Sequence, residues 1–306
     1  MGGVLEGFGT IAIVIALGAL LADRGIVDLA GQRSLSLTSF YLASPALLVT
    51  VLEDSDPSRV LSGPLVATAA GVVVSAGSMA VIARVRRLDA GTSVVATLCS
   101  AYVNAGNLGI PIAAYALGDA ALVVPALLMQ LLVLQPLALT VLDVVTSPRR
   151  PSLLKILSRP VTNPLTIASF GGLLLAATDT ELPQVVHAPL ALVGGMAVPA
   201  MLIAYGVALR LGPLPGRGVT PRALATVTSL KMVVQPVAAY LVGRFAVGLG
   251  GTDLFAVTLL SALPTAQNVF VVAMRYERGV LLARDAIFVS TLASAPVAIG
   301  ISALLA

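Results

Sequence analysis

Charge is what this chain has least of. Only 10% of its 306 residues are Asp, Glu, Lys or Arg, while 58% are hydrophobic and the mean hydropathy is +1.01. A soluble domain carries about a quarter charged residues, so the lipid bilayer is the expected solvent. The single cysteine, Cys99, excludes an internal disulfide and a multi-thiolate metal site, and says nothing about an oxidising compartment. The single histidine, His187, reads as a solvated loop residue beside Pro183 and Pro189 rather than a ligand. Strict polar and apolar alternation is missing from segments such as Leu122 to Leu142, which excludes a transmembrane barrel. The composition also excludes disorder and a collagen-like repeat. The net charge is +4, but the 18 basic residues occur in small groups, which sets membrane topology rather than nucleic-acid binding.

Long charge-poor stretches separated by charge clusters define ten spans, at 5–22, 34–52, 60–83, 93–117, 121–142, 163–178, 190–210, 222–247, 253–274 and 281–304. The first lacks a basic leader before Leu5 and nine more follow, so it reads as a helix of the mature protein. Basic residues follow alternate spans: Arg24 and Arg33; Arg84, Arg86 and Arg87; Arg149, Arg150, Lys155 and Arg159; Arg210, Arg217 and Arg222; Arg275, Arg278 and Arg284. These are 15 of the 18, with Arg59 and Arg244 opposite and Lys231 within a span. The retention of Lys and Arg on the cytoplasmic side therefore predicts a multi-pass cytoplasmic-membrane protein with both termini outside and the 146–162 connector inside.

The two halves resemble each other. Ser44-Pro45-Ala46-Leu47-Leu48 of span 2 matches Val198-Pro199-Ala200-Met201-Leu202 of span 7 at an offset of 154. Span 4 and span 9 align at an offset of 161, where Ser100/Ser261, Ala101/Ala262, Ala105/Ala266, Asn107/Asn268 and Tyr115/Tyr276 coincide. Five spans duplicated in one chain insert the second copy inverted. Chance likeness between apolar segments is the competing explanation. The expected organisation is an all-α polytopic membrane protein: a repeat over 1–145, a connector over 146–162 and an inverted repeat over 163–306.

Spans 4 and 9 carry the unusual chemistry. Asn104, Gly106, Asn107, Gly109 and Pro111 stand at mid-depth, where two glycines weaken a helix and Pro111 withholds the amide due to the Asn107 carbonyl. Pro264, Gln267 and Asn268 repeat the pattern. A helix broken in lipid is tolerable only where its freed groups meet protein, water or a ligand, and a half-helix starting after the gap aims a positive dipole end into it. Two such breaks predict an anion-attracting centre near the midplane. The alternative is a pair of proline kinks whose amides join helices.

The stretch Tyr102-Val103-Asn104-Ala105-Gly106-Asn107-Leu108-Gly109-Ile110-Pro111, continuing to Tyr115 and Gly118-Asp119, resembles the fourth-helix signature of the auxin efflux carrier family. Similar in order and spacing are Leu35 to Leu48, Asn163-Pro164-Leu165, Val198 to Leu209, Lys231 five residues before Pro236, and Ala262-Leu263-Pro264 leading to Ala273-Met274-Arg275-Tyr276. The resemblance implies ten helices in a 5+5 inverted repeat. It also implies that helices 4 and 9 cross at their breaks, that helices 1, 2, 6 and 7 form a scaffold through which two copies join as a homodimer, and that the remaining helices form a moving transport domain. It implies an organic-anion substrate, with Asn104 before the first crossover, Pro111 and Pro264 at the crossovers, Thr265 after the second proline and Gln130 in the pocket. Tyr102-Val103-Asn104 stands where the plant carriers have Leu-Pro-Asn, which argues against an aromatic substrate.

Lys231, about 13 Å inside its span, reads either as a partner for a substrate carboxylate or as a side chain that snorkels or caps a broken-helix carbonyl. Asp143 reads as interfacial, and no other acid is expected deep in a span. No nucleophile stands beside a base within a span, so an enzyme, a cofactor and a bound metal are not expected. The predicted function is a secondary transporter of a small organic anion working by alternating access, with Asn104, Asn107, Gln130, Thr265, Gln267, Asn268 and Lys231 as substrate-binding candidates. A sodium-coupled carrier of the bile-acid symporter type and, behind it, a channel are the other readings.

Overall fold

A computed structural model of the protein describes residues 2–53, 63–109, 112–113, 117–146, 164–212 and 215–305. The expected connector, apart from Thr146, lies outside these residues, as do Arg59, Pro111, Tyr115, Asn163 and the side chain of Asn107. The described elements are helical: α1 (Gly2–Asp23), α2 (Leu29–Glu53), α3 (Gly63–Val85), α4 (Ala90–Ala101), α5 (Pro125–Val145), α6 (Pro164–Ala177), α7 (Gln184–Leu211), α8 (Pro221–Val247), α9 (Gly251–Ser261), α10 (Asn268–Tyr276) and α11 (Val280–Leu305).

Six of them, α2, α3, α5, α7, α8 and α11, are long and apolar enough to cross a membrane, while α4 and α9 are shorter apolar helices. Leucine and phenylalanine side chains cover the outside: Leu192 is 80% exposed, Phe245 76% and Leu174 64%. Such a surface suits lipid tails, and the protein is a multi-pass membrane protein.

Prolines sit inside these helices without ending them, for a visible reason. Wide π turns at Ser39–Ala43, Met129–Leu134 and Leu230–Val234 each close two residues before a proline, Pro45, Pro136 and Pro236. A widened turn moves the preceding carbonyls away from the proline ring and absorbs the missing amide.

α1 lies along the second half of α7, and α6 along the second half of α2. Both contacts depend on small residues. A Cβ on Gly206 would collide with the Ile15 carbonyl, and one on Gly172 would stand 2.8 Å from the Leu52 Cβ. At the opposite panel, α4 begins at its cap Asp89, whose carboxylate accepts from the Thr92 amide at 3.0 Å. Hydrogen bonds from the Thr92 side chain and amide hold that carboxyl below its usual pKa.

Three expectations are corrected. His187 is not in a loop: its amide donates to the Pro183 carbonyl at 2.9 Å within the first turns of α7. The helix runs on through Pro189, whose missing bond falls at an end where Val185 is 86% exposed. Arg284 is not a loop cation either, but a buried residue of α11. Beside it, Asp285 is a fully buried acid that the sequence did not lead us to expect.

Candidate functional site

Two interruptions of helix build the site. α9 stops at Ser261 because Pro264 has no amide for the Leu260 carbonyl and pushes Leu263 out of helical geometry. α4 stops at Ala101, and Tyr102 is already extended, with φ −88° and ψ 109°. The gap thus opens at the leading edge of the Asn104 to Pro111 cluster. Pairing explains its position: Val103 and Thr265 form an antiparallel bridge, Asn104 donates its amide to the Pro264 carbonyl at 2.8 Å, and Ala266 donates to the Tyr102 carbonyl at 3.2 Å. One π turn, Ala105–Gly109, follows. Glycine is needed there, since a Cβ on Gly109 would lie 2.7 Å from Val123 Cγ2.

A helix end leaves four carbonyls without partners, and in a bilayer each must find one. At the end of α4 all four do. Leu98 accepts from the Tyr102 amide at 2.9 Å, Cys99 from the Thr265 hydroxyl at 2.6 Å, Ser100 from the Ser75 hydroxyl at 2.7 Å, and Ala101 from Gln235 Nε2 at 3.0 Å. At the end of α9, the Ser261 carbonyl accepts from Lys231 Nζ at 2.9 Å. The freed amides are met as well: Val103 donates to Gln130 Oε1, and Thr265 to Ser290 Oγ at 3.1 Å.

In front of this pairing lies a cavity of about 220 Å³. That is well beyond the ~10–15 Å³ a single water needs and suits a small ligand. Its lining differs by origin. α2, α6 and α7 contribute Phe40, Leu47, Leu48, Val51, Leu165, Val198 and Met201, with Ser44 as their one polar residue among those described. The two breaks, α5 and α10 contribute the other polar lining residues, Tyr102, Asn104, Gln130, Gln135, Gln267 and Asn268, set among Val103, Leu127, Leu131, Val271 and Val272. Asn104 Nδ2 and Asn268 Oδ1 are buried without a hydrogen-bond partner among the described residues. Such atoms are costly unless a ligand or water meets them. Ala266, Gln267 and Asn268 line the cavity at the amino end of α10, so its positive dipole end faces inward.

The structure therefore brings Asn104, Gln130, Gln267, Asn268 and Gly106 to one cavity. Pro264 lies buried behind it in the bridge, and Asn107 contributes described backbone only, within the π turn. Thr265 and Lys231 are not in the wall, because their side chains are spent on the carbonyls of Cys99 and Ser261. Gln135, Tyr102 and Ser44 were not foreseen. Tyr102 donates its hydroxyl to Gln135 Oε1 at 2.9 Å, which fixes both against the cavity. A glutamine placed directly before a proline inside an apolar span was the available signal.

The family model described as "Membrane transport protein" matches residues 6–142 and 137–302. A protein of Rhizobium meliloti (strain 1021) named "Putative malonate transporter" is 29% identical over 303 residues, covering 94% of this chain and 91% of its own length. With both halves matched and the fourth-helix motif in place, the chain belongs to the membrane transport protein family, that of the auxin efflux carriers.

Proposed function

We propose that the protein is a secondary transporter that moves a small carboxylate across the cytoplasmic membrane by alternating access. The observation that carries this reading is where the polar groups of the cavity come from: its amides all belong to the breaks and α5, while α2, α6 and α7 contribute one described hydroxyl, Ser44. A substrate held by these amides can travel with them past a wall whose one described polar group is the Ser44 hydroxyl. That arrangement suits a scaffold of α1, α2, α6 and α7 and a moving unit of α3–α5 and α8–α11, an elevator.

The inverted repeat, 1–145 against 163–306 about the 146–162 connector, finds support in the element bounds. α4 begins at Ala90 and α9 at Gly251, which is 161 residues on, the offset at which their sequences align. The packing of α1 on α7 and α6 on α2 is what such a repeat produces. On this reading the paired breaks are the crossing point of helices 4 and 9.

Uncharged amide donors and a helix amino end favour a carboxylate, and no Asp or Glu is among the lining residues to repel it. The malonate in the relative's name is of a size that fits the space. Contacts among the arginine-bearing ends, Arg210 with Asp23, Arg33 with Glu277 and Arg278 with Asp89, support one basic face, assigned to the cytoplasm, with both termini outside.

The test is a thermal-shift titration of the purified protein with malonate, succinate, acetate and indole-3-acetate. Malonate-sized acids should raise the melting temperature in a saturable way and the indole acid should not. No response to any small carboxylate would remove the substrate class.

A further inference from the structure

The amides around the cavity carry no net charge, and a carboxylate stripped of its water needs a positive charge within reach. Two buried cations are present among the described residues. Arg284 is neutralised by Asp285, with Nη2 2.6 Å from a carboxylate oxygen. Lys231 is different: it is fully buried, its Nζ donates to the Ser261 carbonyl at 2.9 Å, and none of the described ion pairs involves it.

Where the ammonium sits matters. Ser261 ends α9, and the carbonyl end of a half-helix gathers partial negative charge. Unwound carbonyls of this kind are where carriers with broken helices hold a coupling cation. The other half of the chain offers an internal comparison. Ser100 lies 161 residues before Ser261, at the position that aligns with it, and its carbonyl accepts from the neutral hydroxyl of Ser75 on α3. The same carbonyl is thus capped by a hydroxyl in one half and by an ammonium in the other. From Ser261 the chain passes in a few residues to Ala266, Gln267 and Asn268 in the cavity wall. The ammonium is thus fixed, fully buried, on the segment that leads into the cavity wall, where little water screens its charge.

We propose that Lys231 is a built-in counter-cation: its ammonium occupies the carbonyl end of α9 in place of a mobile metal ion and supplies the positive charge for a carboxylate in the cavity, so that anion binding needs no sodium. This rests on the carboxylate reading above and adds its charge balance and its co-ion requirement. It also turns aside the sodium-coupled alternative.

The experiment uses the full chain, malonate as ligand, and the variants K231R, K231M, K231Q and K231A. Wild-type affinity should be unchanged when sodium chloride is replaced by choline chloride, and K231R should stay within a few-fold. K231M and K231Q should each lose tenfold or more, although glutamine can still donate to Ser261. In K231A, millimolar ethylammonium should raise the melting temperature where choline does not, a readout that needs no substrate. Failure of the carboxylate reading, with no malonate binding at all, is thereby separated from failure of the cation.

Sodium-dependent wild-type binding would overturn the proposal. So would a K231Q that binds like wild type, which would leave Lys231 a carbonyl cap, or a K231A that responds equally to both salts. If K231A does not fold, the sodium replacement and K231Q decide the matter.

Discussion

Asn104 stands in the extended gap after α4 with its backbone tied to Pro264 and its side-chain nitrogen buried and unpartnered among the described residues. The backbone does the structural work, leaving the side chain for a ligand. Asn104→Ala should therefore leave the melting temperature near wild type and weaken carboxylate binding by about ten- to a hundredfold, the worth of one hydrogen bond to a charged group. Calorimetric titration beside a thermal melt checks both halves. The opposite outcome is expected at Asp285. It accepts from Arg284 Nε at 2.8 Å and from the Gly216 amide at 2.8 Å, all away from the cavity. Asp285→Ala strands a buried guanidinium and should cost about 3–5 kcal/mol, read as a large fall in melting temperature, whereas Arg33→Ala, from an exposed pair, should cost ~0–1 kcal/mol. Asn104, Gln267 and Asn268 stood out because amides at mid-span cannot be hidden in lipid, and Gln130 through the family resemblance alone; all four line the cavity. It could not reveal that Lys231 and Thr265 turn to carbonyls, since which orphan a side chain reaches depends on how α8 and the second break pack against α4 and α9. Asp285 escaped because, near a span end, a buried pair and a wet one have the same sequence.

At the scale of elements, the break in span 9 follows from one residue. Pro264→Ala would return the amide due to Leu260 and let α9 continue toward α10, dissolving the bridge between Val103 and Thr265. Helix interiors gain about 3 kcal/mol when such a proline is removed without compensation, so stability should hold or rise while transport falls by an order of magnitude or more. Melting temperature and initial uptake rate, measured on the same preparation, check this. A variant that is merely misfolded would point to a packing kink instead. Helix bounds were legible to within a few residues for α3, α6, α8 and α11, because charge and turn residues mark where lipid ends. The π turns before Pro45, Pro136 and Pro236 were not, since a widened turn changes hydrogen bonding without changing the apolar pattern. The break in span 4 opened ahead of Pro111 because pairing with the other break, and not local propensity, fixes where α4 ends.

Across the whole molecule, an apolar exterior surrounds a cavity to which the two breaks bring amides, and the proposed basic face and inverted halves would make one device of it. The apolar exterior was plain from composition. The cavity was legible as two polar breaks 161 residues apart expected to form one centre, whereas the apolar wall from α2, α6 and α7 is a tertiary fact. What distinguishes a carrier from a bundle that happens to enclose a polar space is exchange: a substrate bound on one side must return bound from the other. Counterflow of labelled malonate into proteoliposomes preloaded with unlabelled malonate measures this directly. The expected result is saturable uptake that rises with the internal load, proceeds with choline in place of sodium, is competed by other small carboxylates and is lost in Asn104→Ala. Uptake that grows linearly with concentration, ignores the internal load and survives in Asn104→Ala would contradict alternating access at this cavity.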